Sequence, residues 1–85
     1  METKVAVISI VVSKAEMVEE INRLLHDCAD YIIGCMGIPY PEKGVNLISI
    51  AIDAPQDTIA ALSGKIGNLP GVSAKTVYSN VTGTR

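Results

Sequence analysis

Val7-Ile8-Ser9-Ile10-Val11-Val12 and Leu47-Ile48-Ser49-Ile50-Ala51-Ile52 align residue for residue at a constant offset of 40. Both are runs of aliphatic, largely β-branched residues of strand length. The same offset carries Ser13 onto Asp53, both helix N-cap types, and Glu16 onto Gln56, both suited to the third helical position of a capping box. Two strand–helix units of like construction follow one another.

The first unit opens with a buried strand over Val5 to Val12, bounded by Lys4 and Ser13. Ser13 with Glu16 has the spacing of a capping box, in which hydroxyl and carboxylate satisfy the free amides of a helix start. Met17, Val18, Ile21, Leu24, Leu25 and Cys28 then recur at three- and four-residue intervals, predicting a helix from about Lys14 to about Asp27 with one apolar face. Ala29 and Asp30 end it, and Tyr31 to Ile38 forms a second apolar run. Gly34 and Gly37 inside that run mark a bulge or a place where another backbone or a ligand comes close. Pro39 to Gly44 is turn chemistry joining a hairpin, with Tyr40 as an exposed contact.

The second unit repeats the plan. Val45 to Ile52 is a strand with Ile48, Ile50 and Ile52 on one face and Leu47, Ser49 and Ala51 on the other. Asp53 and Pro55 open a second helix whose stripe is Ile59, Leu62, Ile66 and Leu69. Gly64 and Gly67 each weaken that helix by roughly 1 kcal/mol relative to alanine. Pro70 and Gly71 stop it, Val72 to Tyr78 is the last strand, and Ser79 to Arg85 reads as a frayed polar tail. One domain over residues 1–80 is expected, with 81–85 as tail.

A βαββαβ order with matching halves is the ferredoxin-like α+β arrangement: a four-stranded antiparallel sheet with two helices on one face. The other face is then open. The first strand, however, is apolar on both sides, with Ala6, Ile8, Ile10 and Val12 on one and Val5, Val7 and Val11 beside Ser9 on the other. Such a strand calls for cover on both faces. Val5, Val7, Val11 and Leu47 are therefore the expected oligomer interface, against a second subunit or a protein partner.

Composition narrows the function. The 85 residues are 48% hydrophobic with no Phe or Trp, enough for one core built from Val, Ile, Leu, Ala and Met and no more. Net charge is −2 and the seven basic residues are scattered, unlike a nucleic-acid footprint. The N-terminus runs from Met1-Glu2-Thr3-Lys4 straight into strand, with neither a signal peptide nor an apolar stretch near 20 residues, so a cytoplasmic protein without a membrane span is expected. Cys28 and Cys35 make no disulfide framework, and reduced thiols are expected.

Asp30-Tyr31-Ile32-Ile33-Gly34-Cys35-Met36-Gly37-Ile38-Pro39-Tyr40, then Lys43-Gly44-Val45-Asn46 with Ile48-Ser49-Ile50, and Asp53-Ala54-Pro55-Gln56-Asp57, resemble the iron-only hydrogenase system regulators. The likeness covers nearly the whole chain, and Asp30 to Gly34 is its most specific part. Leu69-Pro70-Gly71-Val72 is shared by many ACT domains. The resemblance implies a stand-alone ACT-like domain, related in fold to the sensor domain of nickel-responsive repressors. It also implies a cytoplasmic regulator linked to iron-only hydrogenase that forms homodimers or homotetramers through sheet contacts. The ribbon-helix-helix arm of a nickel-responsive repressor has no counterpart before the first strand, so no direct nucleic-acid binding is expected of this chain.

ACT-like domains often bind small effectors at the first strand–helix turn, which here holds Ser13 and Lys14; a helix cap and a solvated lysine explain the same residues. Gly34 and Gly37 are further ligand-binding candidates. His26, Cys28 and Cys35 are the soft or borderline metal ligands besides Met. His26 and Cys28 stand two apart on a helix and diverge, and Cys28 continues the apolar stripe, so no metal site is favoured. The aspartates fall at helix ends, and no nucleophile with its base, phosphate loop or acid pair can be read. The expectation is a regulatory, ligand- or metal-sensing module, not an enzyme, with its cofactor unknown. The alternative is an assembly adaptor that binds a protein without a small ligand.

Overall fold

The two matched runs become the two central strands of one sheet. The computed structural model describes residues 2–84: β1 (Glu2–Val12), α1 (Met17–Asp27), β2 (Ile32–Tyr40), β3 (Val45–Ala54), α2 (Gln56–Gly67) and β4 (Val72–Thr84). Short 3-10 turns at Ala29–Tyr31 and Pro41–Lys43 complete the chain. All strand pairings are antiparallel in the order β2-β3-β1-β4, so β1 and β3 are inside and β2 and β4 are edges. This is the expected ferredoxin-like α+β architecture.

Period two along the central strands sorts the side chains. Ala6, Ile8, Ile10 and Val12 of β1 and Ile48, Ile50, Ile52 and Ala54 of β3 are buried. The helices lay Ile21, Leu24 and Leu25 and Ile59, Leu62 and Ile66 against them. Fully burying such a side chain favours folding by about 1.5–3 kcal/mol each. The apolar faces inferred from spacing are thus the core faces. A hydrogen bond of 2.9 Å from Thr76 Oγ1 to Ser63 Oγ adds a polar tie between β4 and α2.

Element ends depart from expectation where tertiary contacts intervene. No capping box forms: α1 starts at Met17, Glu16 is its N-cap, and no side chain caps it. Residues 13–16 are held as turns instead, with Met17 N donating to Lys14 O and Val18 N to Ala15 O. Ser13 turns away, donating both its backbone N and its Oγ to Gly71 O at 2.8 Å. In the second unit β3 runs on to Ala54, so Asp53 is a strand residue opposite Val5, Pro55 is the N-cap and Gln56 begins α2.

Both edge strands outrun the sequence reading. β2 continues through Pro39 and Tyr40, which an edge position permits because one row of amides needs no partner. β4 does not fray at Ser79 but runs to Thr84, pairing residues 82–84 with Glu2–Lys4 after a register shift between Lys4 and Ala6. Backbone pairing with an N-terminal extension of β1, begun at Glu2, carries polar residues that would otherwise be tail. Arg85 lies outside the described residues.

Candidate functional site

Cross-strand register assembles the open face row by row. Val77, Val7, Ala51 and Gly34 form one row across β4, β1, β3 and β2. Lys75, Ser9, Ser49 and Met36 form the next, and Ser73, Val11, Leu47 and Ile38 the third. Val7, Val11, Met36, Ile38, Leu47 and Val77 are between 39% and 66% exposed, so a substantial apolar patch faces water. Within these three rows the one charged side chain is Lys75, on an edge strand.

All four interface residues expected from sequence lie on this face by register: Val7, Val11 and Leu47 are exposed, and Val5, opposite Asp53 in the next row, is half-buried. Met36, Ile38 and Val77 belong to it and were missed. Their membership depends on how the edge strands register against the centre, a signal that alternation within one strand does not hold.

The edge strand β2 is the second feature. From Ile33 to Tyr40 every residue is exposed, and none is charged. Gly34 follows a register shift between Ile32 and Gly34, in agreement with the bulge reading. A Cβ added at Gly34 or at Gly37 would meet nothing within 4 Å, and neither has a positive φ. Nothing inside a single copy requires glycine at either position.

On the helix side of β2, α1 stops short of the edge and leaves a cleft of about 260 Å³. It is lined by Val18 and Asn22 from α1, Cys35, Gly37, Ile38 and Pro39 from β2, and Asn46 and Ile48 from β3. Two side-chain amides, one thiol and the edge backbone place donors and acceptors beside apolar side chains there.

The other sequence candidates do not converge. Ser13 is engaged with Gly71, and Lys14 packs its stem where a Gly71 Cβ would fall, 2.7 Å from Lys14 Cγ. His26 is in the last turn of α1, Cys28 is its half-buried C-cap, and Cys35 is exposed on β2. Among the described residues no group of three or more His, Cys, Asp or Glu is placed to hold a metal ion. Titration is perturbed at the pair Glu20 and Arg23: the hydrogen bond from Arg23, aided by its charge, holds the Glu20 carboxyl below the usual carboxylate range. Both side chains are on the solvent side of α1. Among the described residues no helix is long and apolar enough to cross a membrane.

A four-stranded antiparallel sheet with two helices is a ferredoxin-like α+β domain. Residues 4–76 match the family described as "TM1266-like: Iron-only hydrogenase system regulator, putative", and the chain belongs to that family. It is 34% identical to the uncharacterized protein TM1266 from Thermotoga maritima, with a TM-score of 0.85 over 89% of this chain and 96% of that one. A formyltetrahydrofolate deformylase from Pseudomonas putida KT2440 shares the fold at 13% identity and TM-score 0.67, over 91% of this chain and 29% of the deformylase. The designed protein Foldit4 shares it at 19% identity and TM-score 0.56, over 100% and 99% of the two chains. No curated protein matches the chain.

Proposed function

We propose that this chain is a cytoplasmic, non-catalytic regulator of an iron-only hydrogenase system, acting as an oligomer on transcription or on another protein of that system and responding to a small ligand. Family membership over residues 4–76 is the observation that carries the regulatory reading. The cleft between α1 and β2 supports the sensing part. It gathers Asn22, Asn46 and Cys35 from three elements and includes Gly37, one of the glycines singled out from sequence. Metals are among the ligands to be tried, and the chain works through a partner for any contact with DNA.

A ligand that binds only the folded state raises the melting temperature, by about 2.7 kcal/mol of added stability at a hundred times its Kd. Thermal-shift measurements against amino acids, nucleotides and divalent metals should give at least one saturable rise, lost in Asn22→Ala and Asn46→Ala. A flat response across the panel overturns sensing and leaves the second reading, a ligand-free assembly adaptor, which the exposed apolar sheet face favours.

A further inference from the structure

We infer that an extended segment of a partner protein docks between α1 and β2, adding to β2 as a fifth strand of the sheet. Docking of this kind rests on the regulatory reading, in which the chain acts on another protein, and adds which surface is used and what form the partner takes.

The two edges of the sheet differ. β4 carries Lys75, whereas β2 is exposed and without charge from Ile33 to Tyr40. An edge strand turns the N–H and C=O of every second residue away from the sheet, and charge is a common guard against another strand pairing there. Pro39 has no N–H and fits an edge where that N–H would point outward. By the period of two, Gly37 and Cys35 then also present their N–H and C=O to the outside.

Beside this edge the surface is grooved. The cleft of about 260 Å³ next to Val18 and Asn22 continues towards the hairpin into one of about 400 Å³ that reaches Ala15 and Tyr40, and the two share Pro39 and Asn46. Among the described residues no charged side chain lines either cleft. The groove follows β2 from Cys35 to Tyr40, roughly 17–20 Å at the rise of an extended chain. Free main chain on one side, a helix on the other and an uncharged groove between them is the arrangement that takes a peptide by strand addition.

Register gives the docked strand its side-chain pattern. Cys35, Gly37 and Pro39 stand opposite Ile50, Ile48 and Asn46, and Ile48 and Ile50 are buried, so these three β2 positions belong to the helix side. A residue paired with Gly37 sends its side chain to that side, into the cleft, through the space that a larger residue at 37 would take up. A Cβ at Gly37 meets nothing within 4 Å in the single chain, and the docked strand supplies the reason for glycine. With Val18 and Ile48 beside it, the space suits one aliphatic or methionine side chain. The neighbours of that residue fall beside Met36 and Ile38, both exposed, and are apolar for the same reason. A second copy's β2 fits less well: it brings another proline into the ladder, and in the register centred on Gly37 it sets glycine against glycine and leaves the cleft unfilled. A small ligand held at Asn22 and Asn46 takes the same space, so ligand and partner exclude one another.

A phage-displayed library of random peptides about twelve residues long, selected on the immobilised full chain, tests this. The recovered sequences should bind the chain in solution as free synthetic peptides, and N-methylation along them should abolish binding at every second position, as main-chain pairing demands. The amides of Cys35 and Gly37 should exchange more slowly in the complex. Gly37→Val and Asn22→Arg should each weaken binding by about tenfold or more, since one fills the cleft and the other sets a charge across the groove. Val77→Lys, on the other edge, should leave it within about twofold. Both groove positions are exposed, and circular dichroism checks that each variant folds.

Peptide binding that is lost in Val11→Lys and kept in Gly37→Val would move docking to the open face and overturn the proposal. Binding indifferent to N-methylation, or a selection that yields no saturable binder, would overturn it as well. Loss of the chain's own association in Gly37→Val, read by sedimentation velocity, would make a second copy the occupant and overturn the partner. The regulatory reading is unaffected by any of these outcomes, because the thermal-shift series tests it separately.

Discussion

Gly71 has φ of +71°, and a Cβ there would stand 2.7 Å from Lys14 Cγ and 3.0 Å from Ser13 Oγ. The residue therefore meets two demands, a left-handed turn after α2 and close contact with the loop after β1. Gly71→Ala should cost about 1–3 kcal/mol in urea unfolding, since backbone strain and steric displacement add. Ser13→Ala should cost less, about 0.5–1.5 kcal/mol, because the backbone N of Ser13 still reaches Gly71 O. Were Ser13 a helix cap, its loss would show as fraying of α1; here amide exchange should rise at the Ser13–Gly71 junction and leave α1 protected. At Glu20 the depressed carboxyl makes a contribution present above the ordinary carboxylate range and lost as pH falls through its lowered value. Both partners are exposed, so Glu20→Gln should slightly flatten the acid limb of stability in low salt and leave it unchanged in 1 M salt.

Among the elements, α2 is a good packing surface on a mediocre helix. Ile59, Leu62 and Ile66 are buried, but Gly64 sits on the solvent side with nothing within 4 Å of a Cβ. Gly64→Ala should raise stability by about 0.5–1 kcal/mol, read as a shift in urea midpoint without change in slope. In the central strands the opposite holds. Ile50→Ala, fully buried in β3 between the flanking strands, should cost about 2–5 kcal/mol. The edge strand β2 tolerates more, because all of it from Ile33 onward is exposed and none of that stretch belongs to the buried core. Its uncharged, apolar edge lacks the protection that lysine gives most sheet edges.

For the whole molecule, a domain this small buries a limited fraction of its surface, and assembly is a direct route to further stability. If copies stabilise one another, the melting temperature must rise with concentration. Differential scanning calorimetry between 5 and 500 µM should show that rise in wild-type protein and none in Val11→Lys. The course of the chain, the two like halves and the core faces were legible in the sequence, because side-chain periods of two and of three to four depend only on local backbone geometry. So were four residues of the open face, Val5, Val7, Val11 and Leu47. Asp30 to Gly34 and its neighbours carried the family likeness as well. Capping at Ser13 was misread, because a hydroxyl that can cap a helix can equally bond a carbonyl 58 residues away. The extension of β4 to Thr84, the placing of Met36, Ile38 and Val77 beside the central strands, and the cleft between α1 and β2 were settled only in three dimensions. Register between strands, and the reach of a helix across a sheet, come from contacts among residues far apart in the chain, and no local period encodes them.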